Sequence, residues 1–199
     1  MRAFTDYEQT KEYTEFQKLP AGAYEVEIIR AEDRDNALCV LFDIVLFDIK
    51  GGEFDGYYRK KLEDDRKSFG TEKAKYKGIL RLWYPNGGEY DENAKRRMKT
   101  ALKTIKEDNR LSVDFSREWD GAALSKCRTG MIFRDQEWSY NGKTGITAQP
   151  YTIISLEKLR SGEFTIPEPK YLGSAAPAAN TSAAASGFAE VPLDDDLPF

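Results

Sequence analysis

The chain has 199 residues, 40% hydrophobic and 32% charged, with a formal net charge of −4, two cysteines and no histidine. Such a length and composition predict one soluble domain with appendages, able to fold without disulfides or metal. Lack of histidine excludes a Ser-His-Asp triad, a Cys-His pair and a His-Glu-x-x-His zinc site. With no GxxxxGK[ST] and no GxGxxG, a P-loop and a dinucleotide fingerprint are absent too. No cofactor, metal site or catalytic residue is predicted. No apolar run approaches the roughly 18 residues of a membrane span, and the polar stretch Met1 to Glu15 predicts no signal peptide.

Residues 1–18 are polar with scattered aromatics and read as an N-terminal arm. Leu19-Pro20-Ala21-Gly22 is a turn signal. Tyr24, Val26 and Ile28 then alternate with Glu25 and Glu27, the period of a half-buried strand. Asp33 to Asn36 reads as a polar loop. Leu38 to Ile49 reads as a second strand, wet at Asp43 and Asp48, with at least one of Phe42 and Phe47 in the core. Lys50-Gly51-Gly52 is a turn, and Gly56 to Leu62 reads as a third strand. Phe69 to Tyr84 places Tyr76, Ile79, Leu80 and Trp83 at helical spacing, ended by Pro85-Asn86-Gly87-Gly88. Asp91 is placed to cap a second helix with Met98, Leu102 and Ile105 as its apolar stripe. Trp119-Asp120-Gly121 is a turn and Cys127 to Tyr140 a strand. Asn141-Gly142 is a hairpin signal. Thr144 to Ser155 is the last strand, with Pro150 marking a break or an edge. Cys39 and Cys127 sit inside apolar patterns and read as buried thiols of a reducing compartment.

The order strand, strand, strand, helix, strand, strand predicts a mainly β fold with inserted helices. It is that of the OB-fold, a five-stranded Greek-key barrel, over residues 19–172 with a helical insert at about 63–110; a generic α+β domain gives the same string. Residues 173–189, almost entirely Gly, Ala, Ser, Pro, Asn and Thr, bury too little to repay their ordering and predict a flexible linker. Residues 190–199 predict an acidic tip, ending in Asp194, Asp195, Asp196, Leu197, Pro198 and Phe199. This ending has the chemistry of a portable ligand. The Phe199 ring suits an apolar pocket, its α-carboxylate an Arg or Lys beside it, and the aspartates a basic rim, while Pro198 lowers the ordering cost.

The DDDLPF ending on its bland tether resembles the acidic tip of bacterial single-stranded DNA-binding proteins, where this ending recruits replication, recombination and repair proteins. Leu19-Pro20-Ala21-Gly22-Ala23-Tyr24, Trp83-Tyr84-Pro85, Trp119-Asp120-Gly121 and Tyr140-Asn141-Gly142-Lys143-Thr144 resemble phage or prophage proteins of the same class. The resemblance implies sequence-tolerant binding and protection of single-stranded DNA, no enzymatic activity, and partner capture by Asp194 to Phe199. It also implies a cytoplasmic place in a bacterial host cell or its nucleoid and no membrane partner. A homo-oligomer is compatible with it.

Charge segregation suits such a ligand. Residues 59–106 carry 15 basic and 7 acidic residues, against 6 and 13 in residues 1–58, and phosphates respond to local charge. Single strands need cations beside aromatic platforms. Two runs offer both. The first is Tyr57, Tyr58, Arg59, Lys60 and Lys61, continuing through Arg66 and Lys67; on a strand, one tyrosine packs inward and the other outward. The second is the last hairpin, with Arg134, Trp138, Tyr140 and Lys143, where Trp138 is either core or platform. Lys73, Lys75, Lys77, Arg81, Lys95, Arg96, Lys99 and Lys103 read first as solvated helix faces. Two rival functions remain: an adaptor that mainly binds protein, and a magnesium-dependent nuclease built on Asp43, Asp48, Glu53, Asp55, Asp64 and Asp65.

Overall fold

In the computed structural model, which describes residues 17–45 and 53–172, the chain first forms a hairpin. Strands β1 (Gly22–Arg34) and β2 (Ala37–Ile44) run antiparallel around Asp35 and Asn36, at φ 49° and 61°. Asp and Asn tolerate this left-handed backbone, and two such residues give a turn whose twist matches the strands. On β1, Val26 and Ile28 enter the core as expected, but Glu25 on the opposite side is buried as well, with Arg128 and Arg160 near its carboxylate. All of β2 is buried. Leu38, Val40, Phe42 and Ile44 face the main core; Ala37, Cys39 and Leu41 lie on the other side with Ile29, Ile79 and Trp83. Burial on both faces explains the unbroken apolar run. Cys39 and Cys127 are both buried, free thiols.

Asp43 is fully buried, not wet as its polarity suggested. One carboxylate oxygen accepts from the N–H groups of Ile44 and Tyr58, each at 2.9 Å. The other accepts from Arg59 N–H at 3.2 Å and lies 3.0 Å from Arg59 Nε. Burial raises its pKa, and the three N–H donors and the guanidinium pull it back. Residues 57–62 are consequently helical rather than a third strand. Helix α1 (Tyr57–Phe69) follows Gly56, which has no side chain to cap it. Asp43 reaches across from β2 and satisfies the orphan N–H groups at the positive end of the helix dipole.

The third strand lies where a helix was expected: β3 (Ile79–Trp83), paired antiparallel with β2. Tyr76, Ile79, Leu80 and Trp83 have helical spacing, but the strand sorts them by period two. Leu80 and Leu82 enter the main core, and Ile79 and Trp83 cover the outer side of β2. Gly78 sets the entry: its carbonyl accepts from Phe42 N–H at 2.9 Å, and a Cβ there would lie 2.4 Å from Phe42 O. The insert expected over 63–110 is thus not wholly helical; it holds an edge strand of the sheet.

Helix α2 (Asp91–Asn109) buries Ala101, Leu102 and Ile105, with Met98 packed beside them. Asp91 does not cap it; Tyr90 holds that position, and the Asp91 carboxylate accepts from Asn86 and Gly87 N–H, closing the preceding loop. The Asp120 carboxylate accepts from Ala122 N–H at 2.8 Å, fixing the turn expected there. Strands β4 (Arg128–Tyr140) and β5 (Lys143–Ile154) form the expected hairpin, with Asn141 at φ 48° and Gly142 at φ 73°. A short helix, α3 (Leu156–Ser161), follows, its Lys158 N–H donating to Ser155 Oγ.

The five strands form one antiparallel sheet in the order β3-β2-β1-β4-β5. The fold is mainly β, as expected, but the sheet is not closed into a barrel: β3 and β5 are its edges. No helix among the described residues is long and apolar enough to cross a membrane. Most of the N-terminal arm, Phe47, Asp48, Lys50-Gly51-Gly52, the linker and the acidic tip lie outside the described residues.

Asp43→Asn puts an amide NH2 against donors. It is expected to destabilise the fold by about 3 kcal/mol, as loss of a buried charged partner does, read as a lowered urea midpoint with unchanged slope.

Candidate nucleic-acid interface

The first predicted basic-aromatic run is dispersed by the helix. Tyr57 and Tyr58 are 8% and 6% exposed and belong to the core. The Tyr58 ring stands edge-on to Phe42 at 5.4 Å and to Tyr57 at 5.1 Å. The Tyr57 hydroxyl accepts from Leu19 N–H, and burial raises both phenol pKa values. Neither ring is open to a base, which corrects the expectation that one faced outward. Arg59 is engaged by Asp43 and lies 3.8 Å from Glu27. Lys60, Arg66 and Lys67 are exposed on α1, whereas Lys61 is half-buried and 3.8 Å from Asp65.

The second predicted run stays together. On β4, Arg134, Gln136, Trp138 and Tyr140 alternate onto one side, with Lys143 opposite Tyr140. Trp138 is 43% exposed and Tyr140 71%, so Trp138 is not core. The indole lies over Gly145, its cross-strand partner, where a Cβ would come within 2.7 Å of it.

The structure places further residues beside Arg134. Between Ile132–Thr152 and Phe133–Pro150 the β4–β5 register slips by one residue, leaving Tyr151 as a bulge. Proline has no N–H for a ladder, and a bulge re-aims the side chain beside it. Arg134 Cζ lies 4.6 Å from the Tyr151 ring centroid and Arg97 Cζ 5.6 Å from it, both within cation–π range. Arg97 also donates to Tyr151 O at 3.1 Å. These groups line a cleft of about 560 Å³ with Arg81 and Trp83 of β3, Gln136, Lys170 and Asp35. Among the described residues, the lining holds Arg81, Arg97, Arg134 and Lys170 with the carboxylate of Asp35. Lys170 is brought there by main-chain bonds to Asp135 O and Glu137 N–H beside β4.

A second cleft of about 560 Å³ lies between α1 and the same two edge strands. Its lining holds Lys18, Lys61, Lys77 and Arg81 with Asp64 and Asp65; Lys77 Nζ is 2.8 Å from Asp65, which Lys61 also approaches. Ile79, Arg81 and Gln149 line both clefts. Beyond them Tyr84, whose hydroxyl donates to Asp33, has its pKa pushed up to about 12 by burial and by that carboxylate.

Of the carboxylates weighed for a metal, Asp43 is sealed at the start of α1 and Asp65 is held by lysines. Among the described residues, no group of three or more Cys, Asp or Glu is placed to hold a metal ion. Arg134 is among the predicted contacts and Pro150 marks a break beside it, while Arg81 reads first as part of a solvated helix face; Arg97, Tyr151 and Lys170 carry no sequence signal of their own.

Tyr57→Ala and Tyr58→Ala are each expected to cost about 3–5 kcal/mol, as core ring truncations do. Tyr140→Ala should stay within about 0.5 kcal/mol of the parent. Urea unfolding of the three variants separates core ring from exposed ring. In comparisons with known proteins, no family model and no curated protein matches the chain.

Proposed function

We propose that the protein binds single-stranded DNA with little sequence preference and recruits partner proteins through residues 190–199. The observation that carries the first part is the cleft at the sheet's edges, which brings Arg81, Arg97, Arg134 and Lys170 together with the rings of Trp83 and Tyr151. Cations that follow a phosphate backbone, beside rings on which any base stacks, are the means of sequence-tolerant single-strand binding. The second part rests on the DDDLPF ending and its resemblance to the acidic tip of bacterial single-stranded DNA-binding proteins.

The fold reading belongs with this proposal. Joining β3 to β5 would close the observed strand order into a five-stranded barrel, with α2 lying between the third and fourth strands in sequence. We read the sheet as an OB-fold opened along that line. The proposed role is protection of the strand by the body and capture of replication, recombination or repair proteins by the tethered tip at raised local concentration.

Tryptophan emission during titration with a dT oligomer and with duplex of equal length tests the reading. We expect quenching by the single strand, little response to duplex, and a log–log salt slope of about −0.7 per phosphate neutralised. A salt-independent affinity overturns it. Removal of Phe199 should leave DNA affinity unchanged and abolish capture of partner proteins in a pull-down; loss of both would make the tip structural.

A further inference from the structure

We infer that the cleft beside α1 is filled by the protein's own N-terminal arm, with Tyr13 and Phe16 as the residues that enter it. Nothing in this contact requires DNA. The arm originates at the cleft itself. Lys18 and Leu19 are part of its lining. Leu19 is buried, and its N–H donates to the Tyr57 hydroxyl at 3.2 Å. Only Gln17 separates Phe16 from a lining residue. One residue spans at most about 3.6 Å, so Tyr13 and Phe16 are confined to within about 18 Å of Lys18. Any other occupant competes with a segment tethered at the site.

The chemistry of arm and cleft is complementary. The rings of Tyr57, Tyr58 and Tyr76 border the cleft, and Phe69 stands at its rim. Phe69 ends α1 and is 65% exposed, whereas Tyr57 and Tyr58 of the same helix are buried. An aromatic partner would take the Phe69 ring out of water and meet it at an edge or an offset face. Cations outnumber carboxylates in the lining, four to two. Residues 1–16 have the opposite balance, with Asp6, Glu8, Glu12 and Glu15 against Arg2 and Lys11. The part nearest the cleft, Glu12-Tyr13-Thr14-Glu15-Phe16, joins two rings to two carboxylates and holds no cation. Opposite charge across such a contact fixes its register. A volume of about 560 Å³ is that of a small-ligand pocket, which suits two ring side chains and not the whole arm. With the arm in place, the cleft lined by Arg97 and Tyr151 is left as the open one.

A double-mutant cycle in the full chain, read by urea unfolding, tests the contact. Phe16→Ser and Phe69→Ser should each lower the urea midpoint. Together they should raise the unfolding constant by about two- to tenfold less than the product of their separate effects, the scale of one aromatic contact. Hydrogen exchange gives a second reading. Tyr13→Ser should speed exchange at residues 66–70 and 76–79, and Phe4→Ser should leave those residues unchanged. Additive effects of Phe16→Ser and Phe69→Ser, together with exchange indifferent to Tyr13→Ser, overturn the contact. Two further results overturn it by naming another occupant. Exchange at residues 66–70 that quickens on removal of residues 190–199, and not with Tyr13→Ser, assigns the cleft to the acidic tip. Protection there that rises with protein concentration assigns it to a second copy of the chain.

Discussion

One buried carboxylate holds the architecture together. Asp43 sits at the end of β2 with no solvent exposure and gathers N–H groups from Ile44, Tyr58 and Arg59 and the Arg59 guanidinium. A charge in that position is tolerated only with full hydrogen bonding, and the start of α1 supplies it. Once α1 begins there, Tyr57 and Tyr58 turn inward onto Phe42, Phe54 and each other. The chain then returns through Gly78, pressed against Phe42, to lay β3 beside β2. The outer face of β2 is covered as a result, and β3 becomes an edge of the sheet.

The edge is where the fold becomes chemically specific. Elsewhere cations stand beside carboxylates within a helix, across a ladder or between elements, as in Lys61–Asp65, Arg128–Glu25 and Arg59–Asp43. Such pairs neutralise the local field. At the β3–β5 line, arginines from three elements converge with Asp35 as the acid in the cleft. A concave wall focuses such a field. The Tyr151 bulge serves the same place: it releases a carbonyl for Arg97 and presents a ring to Arg134.

Some of this was legible in the sequence. Asn141-Gly142 marks a turn, and the polar loop read over Asp33 to Asn36 narrows to a turn at Asp35 and Asn36, because these residues accept left-handed backbone. Val26 and Ile28 alternate as a strand, Leu102 and Ile105 repeat as a helix, and both patterns hold because the face each element buries is continuous. Residues 57–62 and 79–83 exchanged roles for a related reason. Aromatic residues favour strands on average, but Tyr57 and Tyr58 are held helical by an acceptor on another element. Ile79, Leu80 and Trp83 fit period 3.6 and yet sit in a strand that buries Leu80 and Leu82 and leaves Arg81 exposed, because pairing with β2 overrides the local spacing.

By itself, then, the sequence determined what depends on neighbours along the chain: the hairpin turns, the amphipathic faces, the absence of histidine chemistry, and the acidic ending on its Gly/Ala/Ser tether. Tertiary structure alone decided which aromatics are core and which cations share a cleft. Asp43 meets Tyr58 from 15 positions away, and Arg97 meets Tyr151 O from 54. Such contacts follow from how whole elements pack, and residues distant in sequence leave no local period that announces them.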